Sequence, residues 1–278
     1  MRVVIALWMR NIKLFFRNKL QLILILIMPF FYLYLLSTLF ESAHIAEPFP
    51  YVLTGIVMIV VFQTSLNIAF STIDDIASGY MKEILVSPVK RVYIALGQML
   101  ASTTVATLQG TIILVIGFLF GIQYSSFLTP ILLFLFLITM GLTFSAFALF
   151  IAASIKSAQT FQLTSMLITV PMTFLCGVYI PISLLPGGLQ LLALFNPMTY
   201  ATSFFRILSQ EKLFYPIEQL LNEQLAYKIN EIIVTPQLSL IVLVTFGTVF
   251  SLLSTMTFSH VDFSKIYRLK EKKDVFQQ

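Results

Sequence analysis

Charged side chains are scarce in this chain of 278 residues: Asp, Glu, Lys and Arg make up only 10%, against 58% apolar residues. A soluble domain carries about 25% charged residues, so this chain has too little charge to cover a water-facing surface. The single cysteine, Cys176, allows neither an internal disulfide nor a cysteine-based metal cluster. The two histidines, His44 and His260, are too far apart in sequence to form a ligand motif. These absences exclude a soluble globular enzyme, a disordered protein and a disulfide-rich secreted domain.

The apolar residues form long charge-free segments that are separated by clusters of charge. Residues 20–40 and 51–73 contain no charged side chain, and as helices they measure about 32 and 35 Å. Because the hydrocarbon core of a membrane is about 30 Å thick, each segment predicts one membrane-spanning helix. Residues 92–155 are also free of charge and would form a helix of about 96 Å, so this segment must fold back once. The polar, glycine-containing stretch 121–126 predicts the turn, with spans near 92–120 and 127–153.

The second half of the chain predicts two further spans and one ambiguous segment. A span is expected near 159–180 and another at 234–260. Between them, residues 181–206 contain three prolines and two glycines. This segment either crosses the membrane fully or enters and returns as a re-entrant hairpin at 182–206. Irregular backbone at membrane depth must be covered by protein, so such a hairpin should pack against other helices.

The distribution of Lys and Arg favours the hairpin over a seventh crossing, because basic residues accumulate on the cytoplasmic side. With six spans, both termini are cytoplasmic, and 14 basic residues lie inside against 3 outside, whereas a seventh crossing gives 12 against 5. The prediction is an all-α polytopic plasma-membrane protein with six transmembrane helices at 20–260 and a basic cytoplasmic tail at 261–278. The positive charges that give the net charge of +5 lie mostly on the predicted cytoplasmic side of the membrane. Membrane topology therefore explains the net charge, which argues against nucleic acid as a partner.

Residues 1–19 predict a cytoplasmic amphipathic helix that lies in the membrane interface. Arg10, Lys13 and Arg17 share one helical face. A different face is apolar and contains Ile5, Trp8, Ile12, Phe15 and Phe16. The cations would face anionic headgroups, with the apolar side chains in the bilayer. A simple positively charged anchor would explain the charges but not their periodicity.

The second loop, residues 74–91, predicts a short amphipathic helix on the cytoplasmic side. An apolar stripe runs along it, and Pro88 ends it, since the residue before a proline avoids helical geometry. The stripe consists of Tyr80, Met81, Ile84 and Leu85, flanked by Lys82 and Glu83. This helix could dock in the groove of a partner protein, or it could be a solvated turn on the membrane surface. The pattern alone leaves these two interpretations even.

The external segment 207–233 is the only sizeable extracytoplasmic element that the sequence predicts. Its charges alternate with apolar residues, which indicates a helix lying on the outer surface. The apolar residues concerned are Leu213, Phe214, Ile217, Leu220, Leu221 and Leu225.

Catalytic and energy-converting groups are missing from the sequence. It contains no phosphate-binding loop, zinc-protease motif, nucleophile elbow or dinucleotide fingerprint. No ionisable residue falls in the middle of a predicted span, which disfavours a proton-coupled carrier. The polar residues within spans are hydroxyls, as scattered Ser and Thr, and five amides: Gln63, Asn67, Gln98, Gln109 and Gln162. They either line a path or make interhelical hydrogen bonds, worth about 0.6 kcal/mol each on average. The second interpretation is favoured for each amide singly.

Two stretches of the chain resemble a known family. Gly79-Tyr-Met-Lys-Glu-Ile-Leu-Val-Ser-Pro-Val-Lys-Arg91, followed by Gly97, resembles the cytoplasmic coupling loop of type-2 ABC exporter permeases. The stretch from Phe174 through Cys176, Gly177, Pro181 and Pro186 is similar to that family's fifth helix and re-entrant signature. It continues with Asn196-Pro197-Met-Thr-Tyr200 and Arg206.

The resemblance implies six spans, an N-terminal interfacial helix and re-entrant helices on the outer side. It also implies a dimer of permease subunits, either two identical chains or two close paralogues, that works with two ABC ATPase subunits. The chain itself would be no enzyme and would hold no cofactor, because ATP would bind to the partner. The implied ATPase-coupling residues are Gly79, Tyr80, Met81, Lys82, Glu83, Ile84, Leu85 and Pro88. The implied re-entrant or gate residues are Gly177, Pro181, Pro186, Asn196 and Pro197.

The chain departs from the family pattern before the loop glycine, where many relatives have Arg and Glu and this chain has Ile76-Ala77-Ser78. A charge contact to the ATPase is therefore lost here or taken over by Asp74 and Asp75. The expected function is export of a hydrophobic or amphipathic, drug-like or antibiotic-like compound. Two alternatives are export of a lipid-linked polysaccharide or other envelope glycopolymer, and a carrier or channel driven by an ion gradient.

Overall fold

The computed structural model describes residues 2–42, 48–77, 90–155, 157–229 and 231–260. Helices dominate this part of the chain, and a single two-stranded ribbon follows the ninth of them. The helices are α1 (Arg2–Arg17), α2 (Lys19–Ser42), α3 (Pro48–Ala77), α4 (Arg91–Leu119), α5 (Leu128–Ser154), α6 (Ala158–Phe174), α7 (Gly187–Leu194), α8 (Pro197–Ser209), α9 (Ile217–Asn222) and α10 (Pro236–His260). A 3-10 turn occupies Ile182–Leu184, and strands β1 (Tyr227–Ile229) and β2 (Ile232–Val234) pair antiparallel.

Five of the described helices are long and apolar enough to cross a membrane: α2, α3, α4, α5 and α10. The predicted span near 159–180 is helical only to Phe174, so α6 has 17 residues and measures about 25 Å. The helix ends there because the chain turns at Leu175, and Gly177 adopts a φ of +78°, which favours glycine. The helical character predicted from the charge-free segments is confirmed, and the count of six spans stays a prediction.

Helix α3 lies at the centre of the bundle. In its membrane-spanning segment 83% of the residues are buried, against 12% in α2. It packs against α2, α4, α5, α6 and α8. Aromatic contacts join it to α5, where the Phe62 and Phe144 rings meet edge to face with centroids 5.2 Å apart. Helices α4 and α5 also approach closely, since a side chain on Gly141 would meet the backbone of Thr103 at 3.3 Å.

One face of helix α1 packs against the helical bundle, and other residues of the helix are exposed. Its buried face contains Leu7, Asn11 and Phe15, at spacings of four residues. This face lies on α4, where a Cβ on Gly97 would come within 3.2 Å of the Val4 carbonyl oxygen. Other apolar residues of α1 remain exposed, including Ile5. A helix is therefore present over Arg2–Arg17, and its buried face includes Phe15 of the predicted apolar face. Its position in the membrane interface stays a prediction.

The prediction of a surface helix over 207–233 was wrong in most of its length. Among the described residues of this segment, helix is found only at the end of α8, up to Ser209, and in the six residues of α9, after which the β1–β2 ribbon follows. Pro216 precedes α9, and Glu211 and Gln224 adopt left-handed φ values of 58°, which interrupt a continuous helix. The ribbon contains several β-branched residues, which suit strands better than helices. The periodic charges therefore did not indicate one long helix.

Helix α8 is the most enclosed element of the predicted hairpin segment. All its residues from Pro197 to Ser209 are buried, and it packs against α3, α5 and α10. The helix begins with two local signals: the Asn196 side chain accepts a hydrogen bond from the Met198 backbone, and Pro197 follows as the first helical residue. This enclosure brings Arg206, near the end of the helix, into the protein interior.

Candidate functional site

A cavity of about 360 Å³ lies between α2 and α3. It follows α3 from Ile56 to Asn67, a distance of about 16 Å along the helix axis. Most of its wall is apolar, and among the described residues that line it none carries a charge. The polar groups are amides and hydroxyls, from Asn18, Tyr32, Gln63, Thr64, Asn67, Gln109 and Tyr179. Such a wall can bind a neutral molecule that has both apolar and hydrogen-bonding parts.

The five amides noted in the sequence divide between the two roles considered for them. Gln63 and Asn67, one turn apart on α3, line the cavity and are exposed to its open side. Gln109 lines the cavity too, and it also accepts a hydrogen bond from the Thr64 hydroxyl. Gln98 is buried and accepts a hydrogen bond from Asn11 of α1, whereas Gln162 is exposed on α6. Both interpretations therefore apply: Gln63 and Asn67 line the cavity, Gln98 bonds between helices, and Gln109 does both.

The C-terminal end of α3 is joined to α1 by an ion pair. The two terminal nitrogens of Arg10 donate to the two carboxylate oxygens of Asp75, at 2.7 and 2.5 Å. The Asp75 side chain is only 9% exposed, so water screens this pair weakly. Helix α1 is also bound to α4, through Asn11 and through Trp8, whose indole nitrogen donates to the Thr104 hydroxyl at 2.9 Å. Helix α1 thus connects the end of α3 with the beginning of α4.

The coupling residues predicted from the sequence, from Gly79 to Pro88, lie outside the described residues. The chain is described up to Ala77 and again from Lys90, so both helices that flank this loop are placed. Of the two acids proposed to replace the missing charge contact, Asp74 is exposed. Asp75 is buried and bound by Arg10. Its carboxylate therefore serves a contact within the chain.

A cluster around Arg206 lies at the opposite end of the bundle. The Arg206 side chain is fully buried, and its guanidinium carbon lies 3.6 Å from the centroid of the Tyr51 ring. Its Nη2 donates to the Gly177 carbonyl at 2.9 Å, Nη1 to the Tyr227 hydroxyl at 2.7 Å, and Nε to the Tyr51 carbonyl at 3.2 Å. The Tyr51 hydroxyl also donates to the Gly177 carbonyl, at 3.0 Å. These partners are all neutral, so a stacked ring and oriented dipoles stabilise the buried cation.

The five predicted re-entrant or gate residues occupy different places around this cluster. Gly177 is buried and accepts the bonds from Arg206 and Tyr51. Asn196 caps α8, and its amide nitrogen donates to the Met172 carbonyl of α6 at 2.8 Å. Pro197 is the first residue of α8, Pro181 precedes the 3-10 turn, and Pro186 precedes α7. The structure brings Gly177 to the buried arginine and uses the other four to start or anchor helices.

Sequence reasoning missed the buried state of Arg206 and its partners Tyr51 and Tyr227. The charge count of the sequence places Arg206 among the three outer basic residues. One signal was available: it is the first charge after the charge-free run 157–205. The two tyrosines are separated from it by 155 and 21 residues, so no local pattern could have indicated the contacts.

A carboxylate joins the loop after α8 to the beginning of α5. Glu211 accepts hydrogen bonds from the Thr129 hydroxyl at 2.7 Å, the Ser126 amide at 2.9 Å and the Ser125 amide at 3.1 Å. These bonds, with that to Thr129 the strongest, lower the pKa of Glu211 below its usual value. The site is the N-terminus of a membrane-spanning helix, where the helix dipole also favours a negative charge.

Replacement of Glu211 by glutamine should lower thermal stability at neutral pH but not at acidic pH. The pKa of Glu211 is lower in the folded protein than in the unfolded chain, where it is about 4.3. The ionised carboxylate therefore stabilises the folded protein at pH values above about 4.3. This contribution is lost as the pH falls through the lower folded value. We expect Glu211→Gln to melt at a lower temperature than the wild type at pH 7, and the two curves to converge near pH 3. Glu218→Gln, on the exposed surface of α9, is the control. Equal melting temperatures at pH 7 would contradict the stabilising role.

Comparison with known proteins agrees with this architecture. Residues 2–209 match the ABC-2 type transporter family. The chain is also 24% identical over 199 residues to ycf38 of Cyanophora paradoxa, whose name describes a transport permease, and the match covers 69% of each chain. The family match extends from α1 to the end of α8, so it includes the cavity, the ion pair and the buried arginine. The resemblance predicted from the coupling loop and the hairpin signature is thus confirmed at the level of the family. The chain is a multi-pass membrane protein that belongs to the ABC-2 type transporter family.

Proposed function

We propose that this chain is the membrane subunit of an ATP-driven exporter that moves a neutral amphipathic compound, of a drug-like or antibiotic-like kind. The cavity between α2 and α3 carries the proposal, because it combines apolar walls with uncharged hydrogen-bonding groups. Membership of the ABC-2 family implies an ABC ATPase as partner, and the sequence has no ATP-binding motif of its own. ATP hydrolysis would then occur on that separate subunit.

The polarity of the cavity supports a neutral cargo over a lipid-linked polysaccharide. A carrier lipid of that kind brings phosphate groups, which proteins hold best with Arg or Lys. The described residues that line the cavity include neither. Amides such as Gln63 and Asn67 can both donate and accept hydrogen bonds, which suits a compound with carbonyl, amide or hydroxyl groups. Drug-like and antibiotic-like amphipathic molecules have this chemistry.

In the proposed topology the chain crosses the plasma membrane six times, and both termini lie in the cytoplasm. Five helices have the required length, and α6 with the turn that follows would supply the remaining crossing. The asymmetry of Lys and Arg supports cytoplasmic termini. In this arrangement the Arg10–Asp75 pair lies on the inner side and the Arg206 cluster on the outer side. The segment 182–206 would then lie at the outer face.

A second permease subunit would cover the open side of the cavity. Three amides are exposed within apolar helices: Gln63 and Asn67 on α3, and Gln162 on α6. Lipid tails cannot satisfy amide groups, so exposed amides at membrane depth favour burial against another protein surface. The partner would be a second copy of this chain or a close paralogue, and two ATPase subunits would complete the complex.

Alanine substitution of Tyr80 or Leu85 tests the link to the ATPase. Both residues belong to the apolar stripe of the coupling loop. Buried apolar anchors at interfaces commonly contribute about 2 kcal/mol or more, so we expect Tyr80→Ala and Leu85→Ala to reduce export and ATPase co-purification at least tenfold. The amount of folded chain in the membrane should not change. The measurements are transport into membrane vesicles and pull-down of the ATPase subunit.

The matched control is Ser87→Ala, in the same loop but outside the stripe. If the Tyr80 and Leu85 variants export at the wild-type rate, the loop does not couple the two subunits. ATP hydrolysis by the purified chain alone would overturn the assignment as a non-catalytic subunit.

A further inference from the structure

The buried Arg206 is connected to the cavity through the turn that follows α6. Its guanidinium binds the Gly177 carbonyl, and two residues later Tyr179 lines the cavity. The Tyr179 ring contacts the Tyr32 ring of α2, with centroids 6.2 Å apart, and the Phe174 ring at 5.1 Å. Tyr179 thus lies between α2 and the end of α6, at the end of the cavity nearest the Arg206 cluster.

The turn has little freedom to move while Arg206 holds it. Gly177 has a left-handed φ of +78°, and a Cβ there would come within 3.0 Å of Ile182 and 3.2 Å of the Tyr227 hydroxyl. The adjacent Val178 is packed against Gly55 of α3, where a Cβ would lie 2.6 Å from its methyl groups. The Gly177 carbonyl accepts bonds from both Arg206 and Tyr51. The position of Tyr179 therefore depends on these contacts, and Arg206 supplies one of the two hydrogen bonds that hold the Gly177 carbonyl.

The chemistry of the cluster permits reversible release. A buried guanidinium that has no carboxylate partner among the described residues is costly to desolvate, and its ring and carbonyl contacts offset that cost. If the turn moves outward and water enters, the guanidinium regains its hydration, which compensates for the lost contacts. An apolar cluster would gain nothing from water. An arginine held by neutral groups is therefore suited to a closure that opens and re-forms.

We propose that Arg206 is a positioning residue that holds the turn 175–180 so that Tyr179 closes the outer end of the cavity. Release of the Arg206–Gly177 contact opens that end. This inference rests on the proposed function, because it assumes an export cycle and an outer location for the cluster. It assigns to Arg206 a role in transport beyond stabilising the fold.

The only cysteine of the chain is a built-in reporter for this motion. Cys176 precedes Gly177 and is fully buried. In right-side-out vesicles from cells that make the protein and its natural partner, a membrane-impermeant maleimide should label Cys176 slowly without nucleotide. We expect labelling at least tenfold faster after loading with ATP and vanadate. In Arg206→Met, labelling should be fast without nucleotide, because Met keeps the bulk but makes none of the three hydrogen bonds. Arg206→Lys should be intermediate, since an ammonium group cannot reproduce the planar fork.

A second reporter separates local opening from unfolding. Ala148 is buried in α5, so Ala148→Cys in a Cys176→Ser background reports loss of the bundle. We expect this thiol to stay protected in Arg206→Met. Labelling at both positions would show that Arg206 only stabilises the fold, and would overturn the proposal. Tyr227→Phe removes a single bond to Arg206 and provides a milder variant, for which partial acceleration at Cys176 is expected.

The nucleotide-free comparison needs neither cargo nor ATPase, so it tests Arg206 independently of the proposed function. Protection of Cys176 in both Arg206→Met and Tyr227→Phe would overturn the positioning role while leaving the exporter assignment intact. Conversely, fast labelling in these variants, in a chain that binds no ATPase, would support the role of Arg206 and refute the exporter.

Discussion

Replacement of Asp75 by alanine should reduce ATP-driven export at least tenfold, while the chain remains folded and still binds its ATPase. Asp75 is a buried acid in the last turn of α3, and both of its oxygens accept hydrogen bonds from Arg10. Its removal leaves the Arg10 guanidinium without the carboxylate, in a part-buried position, at a cost of about 2 kcal/mol. That cost is small enough for the bundle to survive. We expect the loss of export to be larger than the loss of stability, because the ion pair also connects helices that must move together.

Helix α1 holds the two helices that flank the coupling loop. It binds α3 through the Arg10–Asp75 pair, and it binds α4 through Asn11 and the close contact at Gly97. A force applied to the loop by an ATPase is transmitted to both helices only if they keep a fixed relation to each other. Without the ion pair the end of α3 can move separately from α1 and α4. ATP hydrolysis would then continue with little export, which is the signature of uncoupling.

The measurement is the ratio of cargo exported to ATP hydrolysed in vesicles that contain the complex. Asp74→Ala is a matched control, because Asp74 is the neighbouring acid and is exposed. Arg10→Ala should resemble Asp75→Ala, and Lys13→Ala, an exposed cation of the same helix, should resemble the wild type. The exchange Arg10→Asp with Asp75→Arg should restore part of the ratio. An unchanged ratio in Asp75→Ala would show that α1 does not transmit the motion.

The helices of the bundle could be predicted from the sequence because lipid imposes a simple rule on them. A charged side chain in the hydrocarbon core is costly, so the gaps between charges mark the spans. The gap at 51–73 corresponds to α3, 92–120 to α4, and 127–153 to α5, each within a few residues at most boundaries. The turn at 121–126 was located by its glycine and its polar residues, and Gly121 adopts a φ of +106°.

Outside the bundle this rule no longer holds, and local geometry decides. The segment 207–233 is not apolar enough for lipid to dictate its structure, so Pro216 and the left-handed residues Glu211 and Gln224 limit the helix to α9. The Arg206 cluster was unpredictable for a different reason. The cost of burying the Arg206 guanidinium is offset by the Tyr51 ring and by the carbonyl groups of Tyr51 and Gly177, which only the folded chain brings together. An arginine near the end of an apolar run could equally have been an exposed outer cation.

The second large effect concerns the charge of the cargo. Replacement of Gln63 by lysine should reduce export of neutral amphipathic compounds at least tenfold. Gln63 lies on α3 in the wall of the cavity, among apolar side chains and uncharged polar groups. A lysine there must lose hydration when a neutral molecule occupies the site, and the cargo offers no charge in return. The expected measurement is uptake of a neutral and an anionic amphipathic dye by inside-out vesicles supplied with ATP.

The control is Gln63→Leu, which has a similar volume and no charge. It removes hydrogen bonds from the wall but imposes no charged group, so we expect a loss of only two- to fivefold, consistent with one modest hydrogen bond. The lysine variant should favour the anionic dye over the neutral one, because the ammonium group attracts it. If Gln63→Lys instead leaves neutral export unchanged, the cargo does not pass the cavity between α2 and α3. If the wild type transports a phosphate-linked glycolipid and not the neutral dye, the proposal of a neutral cargo is wrong, since such a substrate would have to be held without any cation among the described lining residues.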